Sequence, residues 1–264
     1  MNVDLWIMRP LNWVFWACFA LHLIGLAVAA SLLRGKSLKT KQIVLVAACA
    51  VTVIGFIAYK VALSHDADYQ VLNEAMGGFN WWNELPFHLC NVNMFLIPAA
   101  VLTRKRGLLG FGFFVGALGA AMALFLPGAG FTDAPFYVPR MLGYYGTHFM
   151  VVTEALALMA FGFYRPRFRD LPLTILTLFG CALIMFGLNM LLRATGLSPK
   201  ANYFFTVETE GNAILELFYS WIPVPFLYTL PSILILAVYV LVVTAGFEGV
   251  ERVRAKWRGG RRKA

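Results

Sequence analysis

The sequence predicts an all-α fold, a polytopic membrane helix bundle with about seven transmembrane helices. Composition is the first observation: of 264 residues, 60% are hydrophobic and only 13% are charged, whereas a soluble domain carries about 25% charged residues. The second observation is a succession of apolar runs that reach the roughly 20 residues needed to cross a bilayer. The third is the distribution of basic residues, which are concentrated in alternate loops between those runs.

Seven segments are predicted to span the membrane. They are residues 11–33, 42–63, 85–102, 107–126, 141–163, 172–194 and 226–246. The third is the shortest, because its first turn is polar. Together the spans form one transmembrane domain, residues 1–246, which is followed by a basic cytoplasmic tail, residues 247–264. Residues 211–221, before the last span, are predicted to form a short amphipathic helix at the membrane surface.

The basic residues predict the orientation of the bundle. Under the seven-span assignment, 17 of the 22 lysines and arginines lie on one side, in the loops at 34–41, 104–106 and 165–169 and in the tail. The alternate loops carry acidic residues instead, Asp66 and Glu208 among them. By the positive-inside rule, the N-terminus is outside and the C-terminus is cytoplasmic. We therefore expect an integral protein of the plasma (inner) membrane.

The net charge of +9 does not require a nucleic-acid partner. The basic excess follows the predicted topology, and such residues also contact anionic lipid headgroups. No nucleic-acid partner is predicted.

A polar cluster lies at the entrance of the third span. Polar side chains in hydrocarbon are costly unless they have partners, so a cluster of them indicates a functional site. Five fall within ten residues of one another: Glu84, His88, Cys90, Asn91 and Asn93. We take this segment as the candidate site, with an active centre that faces outward.

Cys90 is the candidate nucleophile among the four cysteines. The other three, Cys18, Cys49 and Cys181, lie in the middle of apolar spans, where a thiol behaves as a small inert hydrophobe. Cys90 alone has polar neighbours, and a thiolate needs a nearby base or cation to form at neutral pH. The alternative is a thiol at a helix entrance with no chemical role.

Two histidines are candidates for the base. His88 is two residues from Cys90, and on a helix such residues point to nearly opposite sides, so it would serve only if the turn is irregular. His148 is favoured, because helical rise places it about 10 Å below the outer end of its span, close to the depth of Asn93 and Asn189. Asn91 or Asn93 is expected to donate a hydrogen bond to an oxyanion.

Three further ionisable residues have two interpretations each. Glu154, near the centre of the fifth span, is either a structural polar lock or part of the site. Arg140 and Arg193 lie at outer helix ends, where they either hold a lipid phosphate or extend to the surface from helix ends. The cysteines show no metal-binding spacing, so no metal site and no cofactor are predicted.

Several motifs resemble those of the YwaF-type family, which also contains the animal transmembrane lipid acyltransferase that makes polyunsaturated ether phospholipids. The most specific is Leu-Pro-Phe-His-Leu-Cys-Asn at residues 85–91. The likeness extends from about residue 10 to 245, through the His148 segment, Asn189, Asn202 with Tyr203, and the stretch 212–228. It implies a compact polytopic fold in which a membrane-embedded cysteine accepts an acyl group with a histidine near it. In this chain those residues are Cys90 and His148.

The resulting hypothesis is an acyltransferase that moves a fatty acyl chain between membrane phospholipids through a Cys90 thioester. His148 would act as the base, with the neighbouring polar residues in support. The alternative is a non-catalytic carrier or receptor whose outward-facing polar cavity receives a small solute.

Overall fold

Helices make up the architecture, in agreement with the predicted all-α class. The computed structural model describes residues 6–74, 78–128 and 130–261. The helices are α1 (Trp13–Leu32), α2 (Leu38–Ser64), α3 (Ala67–Asn73), α4 (Asn93–Thr103), α5 (Arg106–Gly110), α6 (Ala117–Phe125), α7 (Pro139–Ala160), α8 (Leu171–Ala194), α9 (Ala213–Trp221) and α10 (Leu230–Arg261). A π-helical turn, Phe111–Gly116, joins α5 to α6.

Five helical stretches in the described part of the chain are long and apolar enough to cross a membrane, which identifies an integral membrane protein. They are Trp13–Leu32, Leu38–Ser64, Arg106–Phe125, Phe168–Ala194 and Leu227–Val253, and each matches a predicted span. The other two predicted spans correspond to α4 and α7. Helix α4 is apolar but has only 11 residues, and α7 carries Arg140, His148 and Glu154 among its 22 residues.

The predicted helix at 85–102 is wrong at its start, because α4 begins only at Asn93. Residues 80–92 form turns instead. Leu85 precedes a proline and is disfavoured in the helical region, and contacts from the chain beyond α8 hold the segment in place. Asn80 Nδ2 donates to the Leu197 carbonyl at 2.9 Å, and the Tyr203 hydroxyl donates to the carbonyl of Trp82.

Helix α7 is the centre of the bundle. It begins with Pro139 at its first position, where a missing N–H costs nothing. It packs against α1, α2, α4 and α6, and His148 and Glu154 on it are buried. A methyl group at Gly143 would lie 2.3 Å from the Tyr59 ring, so α2 and α7 approach each other this closely only because residue 143 is glycine.

Two short strands cap the end of the bundle where α7 begins. β1 (Ile7–Met8) pairs antiparallel with β2 (Ala134–Pro135). Arg9, after β1, forms an ion pair with Asp133, before β2. The all-α prediction missed this pair, because strands of two residues are too short to show an alternating pattern.

The predicted amphipathic helix before the last span is present as α9. Asn212 caps it, accepting hydrogen bonds from the backbone N–H groups of Ile214 and Leu215. Phe218 is buried, whereas Ile214 and Trp221 are exposed, as expected for a helix that lies along a surface. Helix α10 continues past the predicted boundary at residue 246 as far as Arg261; residues 262–264 of the predicted tail lie outside the described residues.

Candidate active site

Cys90 and His148 come together although they are far apart in the chain. The Nε2 atom of His148 lies 3.3 Å from the Sγ atom of Cys90. The other ring nitrogen, Nδ1, lies 2.7 Å from the carbonyl oxygen of Tyr144. Because a carbonyl oxygen only accepts, Nδ1 carries the proton and Nε2 is the basic nitrogen that faces the thiol. A histidine in this position is the arrangement that activates a cysteine nucleophile.

A non-helical turn holds Cys90 at the start of α4. The Val92 N–H closes the turn by donating to the His88 carbonyl at 2.9 Å. Helix α6 lies directly against the turn, since a methyl group at Gly119 would be 3.8 Å from the Cys90 nitrogen. The backbone N–H groups of Cys90 and Asn91 lie beside the Cys90 sulfur. The irregular backbone therefore brings two N–H donors to the thiol.

The imidazole of His148 is fixed by the residue one turn before it. The Tyr144 carbonyl accepts from Nδ1, and the Tyr144 ring lies 4.4 Å from the imidazole. Tyr144 is itself held by a hydrogen bond of 2.8 Å from its hydroxyl to the Ala123 carbonyl and by stacking on Phe131 at 4.3 Å. These contacts leave Nε2 directed at Cys90.

The two asparagines beside Cys90 are both buried. Asn93 Nδ2 donates to the Leu89 carbonyl at 2.8 Å, which uses one of its two N–H groups. The Oδ1 atoms of Asn91 and Asn93 are buried and have no hydrogen-bond partner among the described residues. A methyl group at Gly116 would lie 3.0 Å from Asn93 Oδ1, so the π-helical turn ends against this side chain.

His88 does not contact Cys90 in the way His148 does. Its ring lies 5.1 Å from the ring of Tyr203 and 5.9 Å from that of Phe205. The turn is irregular, as the His88 alternative required, yet the His88 side chain packs against these aromatic residues. His148 is the histidine within hydrogen-bonding distance of the thiol.

Asn189 and Asn202 form hydrogen bonds to the loop that follows α8. Asn189 Nδ2 donates to Tyr203 O at 2.8 Å and to Thr206 Oγ1 at 2.9 Å, and its Oδ1 accepts from Tyr203 N at 2.9 Å. Asn202 binds both the carbonyl and the N–H of Glu208, at 2.7 and 3.1 Å. Both amides are used within the protein. Tyr203 connects this loop to the site, because its ring contacts His88.

Glu154 forms a polar contact between α2 and α7. Its Oε1 accepts from Thr52 Oγ1 at 2.5 Å, and the Cys49 thiol lies beside it. Its Oε2 is buried without a partner among the described residues. Cys49 is thus less isolated than its apolar sequence context indicated. His148 uses a backbone carbonyl, not Glu154, as its second partner.

The sequence interpretation missed Lys60, the only lysine within the 42–63 run. Its Nζ pairs with Glu84 Oε2 at 2.5 Å, and the Tyr69 hydroxyl donates to Glu84 Oε1 at 2.9 Å. Lys60 also lies over the Tyr59 ring, 4.7 Å from the centroid. A lysine in an apolar run is a signal in itself, because an intramembrane charge needs a partner.

Arg140 and Arg193 differ in how fully the protein uses them. Arg140 Nη1 lies 3.9 Å from Asp66 Oδ1, and both Nε and Nη1 are buried with no hydrogen-bond partner in the described residues. Arg193 donates from Nε to the Ala201 carbonyl at 2.8 Å and from Nη1 to Glu208 Oε1 at 2.7 Å. Its Nη2 is buried without a described partner. Arg140 therefore has the greater remaining capacity to bind an anion.

The described side chains include no group of three or more His, Cys, Asp and Glu arranged to hold a metal ion. Neither a curated protein nor a solved structure matches the chain. A family model matches residues 8–243, a range that includes Cys90, His148 and the loop around Tyr203. The chain belongs to the TMEM164 family, a family of membrane proteins.

Proposed function

We propose that this protein is a membrane-embedded acyltransferase, which moves a fatty acyl chain between lipids through a thioester on Cys90. The observation that carries the proposal is the 3.3 Å distance from His148 Nε2 to Cys90 Sγ, with Nδ1 anchored on the Tyr144 carbonyl. The resemblance of residues 85–91 to the YwaF-type motif supports the same assignment.

In the first half-reaction, Nε2 of His148 removes the proton from the Cys90 thiol. The sulfur attacks the ester carbonyl carbon of a donor lipid. As the tetrahedral intermediate collapses, the bond between that carbon and the lipid oxygen breaks, and the leaving oxygen takes the proton from the imidazolium. The acyl group remains on sulfur as a thioester.

The second half-reaction reverses these roles. The hydroxyl of an acceptor lipid gives its proton to Nε2 of His148 and attacks the thioester carbonyl carbon. The carbon–sulfur bond breaks, and the Cys90 thiolate takes back the proton from the imidazolium. One acyl group has moved between two oxygens, with no net change in the protein.

The oxyanion is assigned to the backbone N–H groups of Cys90 and Asn91. Both lie beside the sulfur, and fixed donors near a developing oxyanion contribute the largest share of catalysis in many acyl transfers. The side-chain amides of Asn91 and Asn93 are further candidate donors, Asn93 through the N–H that does not bind the Leu89 carbonyl.

The depth of the site suits a lipid substrate. Helix α1 has 20 residues, about 30 Å, which equals the thickness of the hydrocarbon core, and Trp13 at its start suits the membrane interface. Phe149, the neighbour of His148, contacts Phe15 and His22 of α1, at 5.6 and 5.1 Å between ring centroids. The midpoint of these two residues is about 8 Å from Trp13 along the helix. The acyl chains of membrane lipids lie at this depth, so the substrate needs no aqueous pocket.

The proposed topology has seven crossings, with the N-terminus outside and the C-terminus in the cytoplasm. Helix α4 covers about 16 Å, so the third crossing needs the non-helical residues 80–92 as well. Irregular backbone is tolerated at this depth where protein surrounds it. Helix α7 is the fifth crossing, and its polar residues face the bundle. The site then opens toward the outer leaflet of the plasma (inner) membrane.

Membrane phospholipids are the proposed donor and acceptor. Arg140 lies in the first turn of α7, on the outer side of the site, and two of its guanidinium nitrogens have no acceptor in the described part of the protein. Arginine binds phosphate through paired charge-assisted hydrogen bonds. Arg193 is the second candidate, through Nη2.

An acyl-transfer assay with purified protein in vesicles tests the proposal. The vesicles contain a phospholipid labelled in one acyl chain and an unlabelled lysophospholipid. With the native protein, label should move from the donor into the diacyl product formed from the lysophospholipid. With Cys90→Ala, it should not. Equal transfer by Cys90→Ala would contradict a cysteine mechanism. Absence of transfer by the native protein, together with uptake of a small solute into the vesicles, would favour the carrier alternative.

A further inference from the structure

A basic cleft lies at the opposite end of the bundle from the Cys90 site. It has a volume of about 600 Å³, within the range of small-molecule sites. One wall is the segment that joins α7 to α8, residues 165–169, and the other is α10. The segment contributes three arginines, and α10 contributes Glu248, Glu251 and Arg252.

The segment presents its arginines in an alternating pattern. Arg167 has an extended backbone, with φ of −145° and ψ of 144°, and successive side chains on extended backbone point to opposite sides. Arg165 and Arg167 are exposed, whereas Pro166 between them is buried. Arg169 is exposed as well. Arg169 lies in the helical turn that follows, and all three arginines line the cleft.

A buried ion pair fixes the segment to the bundle. Arg106 Nε donates to Asp170 Oδ1 at 2.6 Å, and its Nη2 donates to the Arg165 carbonyl at 3.0 Å. The Tyr164 hydroxyl donates to Asp170 Oδ2 at 3.4 Å. Because Asp170 is buried and bonded from two sides, the segment keeps its shape without help from the exposed arginines.

The charges of the cleft do not balance. Each glutamate of the cleft faces one arginine at 3.4 Å, Glu251 with Arg165 and Glu248 with Arg252. Among the side chains that the structure describes, no carboxylate lies within ion-pair distance of the two other arginines of the segment. The cleft therefore presents two uncompensated positive charges on a rigid backbone.

We propose that this cleft binds a phosphate group, carried by an anionic lipid headgroup at the inner membrane surface or present as free phosphate. Guanidinium groups bind phosphate with charge-assisted, often bidentate hydrogen bonds. The headgroup is the favoured source, because Phe168 lies among the arginines and is exposed, as is Leu173 at the start of α8. The inference does not depend on the proposed acyl transfer.

The test compares Arg167→Gln/Arg169→Gln with a control, Lys36→Gln/Lys39→Gln. The control removes the same charge from the exposed loop after α1 and from the first turn of α2. Binding is read from the rise of Tm on adding phosphatidylglycerol to protein in phosphatidylcholine nanodiscs. We expect the cleft variant to bind phosphatidylglycerol about tenfold to thirtyfold more weakly than the native protein, and the control to bind it as the native protein does. Equal Tm values in phosphatidylcholine alone verify folding.

A parallel titration with inorganic phosphate distinguishes the two sources. A Tm rise with phosphatidylglycerol alone assigns the cleft to a headgroup. A rise with inorganic phosphate that is lost in the cleft variant assigns it to free phosphate. No rise with either ligand, or equal loss of binding in the cleft variant and the control, would overturn the proposal.

Discussion

The Cys90–His148 pair and the Asn189 cluster, formed by Asn189, Tyr203 and Thr206, both contain buried polar groups on the side of the membrane where α7 begins. They differ in how many of their polar atoms have hydrogen-bond partners. Asn189 uses its amide nitrogen twice and its oxygen once, all on Tyr203 and Thr206. At the pair, the Cys90 sulfur has His148 as its side-chain partner. The Asn91 oxygen nearby is buried without a described partner.

Under the proposed mechanism, this difference distinguishes groups that stabilise the fold from groups that react. A buried polar group with all its bonds made stabilises one conformation, and removing one partner costs the desolvation of the other. Cys90 and His148, which face each other, keep their capacity for a substrate in the proposed mechanism. Similar depth in the membrane therefore does not assign a shared role.

Cys90→Ala should give the largest effect, loss of acyl transfer to the background rate, because no other thiol lies within hydrogen-bonding distance of a histidine side chain in the described residues. Cys90→Ser should also be nearly inactive, since a hydroxyl ionises far less readily than a thiol. The matched controls Cys18→Ala and Cys181→Ala should keep native rates in the labelled-phospholipid assay. Loss of activity in the controls, or retention in Cys90→Ala, would remove the distinction between Cys90 and the other cysteines.

His148→Ala should reduce kcat by about 10²–10⁴-fold, the usual contribution of a general base, while Tm changes little. The control is His88→Ala, which removes an imidazole from the same site but from a packing contact with Tyr203. His88→Ala should lower Tm and change kcat much less than His148→Ala does. If His88→Ala abolished transfer and His148→Ala did not, the base would be assigned to the wrong histidine.

Asn189→Leu should act on stability instead of chemistry. The substitution removes three hydrogen bonds, leaves the Tyr203 N–H without its partner and leaves the Tyr203 carbonyl with Thr206 Oγ1 alone. We expect a loss of about 2–4 kcal/mol in unfolding free energy. The measurements are Tm and kcat per folded molecule, and kcat should remain within about threefold of the native value because Asn189 has no role in the proposed proton transfers. A native Tm with a large loss of kcat would place Asn189 in the site after all.

Gly116→Ala and Gly119→Ala should show the smallest effects and differ in sign. Both replace glycine in a helical stretch, which gains up to about 1 kcal/mol from backbone entropy. At Gly119 the new methyl makes an ordinary contact of 3.6 Å with Leu89, so the variant should be slightly stabilised. At Gly116 the methyl would lie 3.0 Å from Asn93 Oδ1, so stability and transfer should fall. Denaturant unfolding measures stability, and the transfer assay measures activity. Equal stability and activity of the two variants would show that the Asn93 side chain is free to move.

The sequence predicted the five long spans because each is a run of apolar residues that depends on no distant contact. It did not predict where α4 begins, since the turn at 80–92 is held by Leu197 and Tyr203, more than a hundred residues away. Cys90 was identifiable by its polar neighbours, and the contact with His148 agrees with the equal-depth argument. Depth in the membrane is a single coordinate, and Asn189 shares it. The partners of Asn189 depend on the direction in which its side chain leaves α8. Lys60 was visible in the sequence, but its partner Glu84 became apparent only once the turn was known.

The most direct test of the central claim is whether Cys90 becomes acylated. Native protein mixed with phospholipid and no acceptor, then quenched in acid, should gain the mass of one fatty acyl group by intact mass spectrometry. Peptide mapping should place the group on Cys90, and neutral hydroxylamine should release it, as expected for a thioester. His148→Ala should accumulate the adduct far more slowly. An unmodified Cys90 in protein that transfers acyl groups would contradict the account.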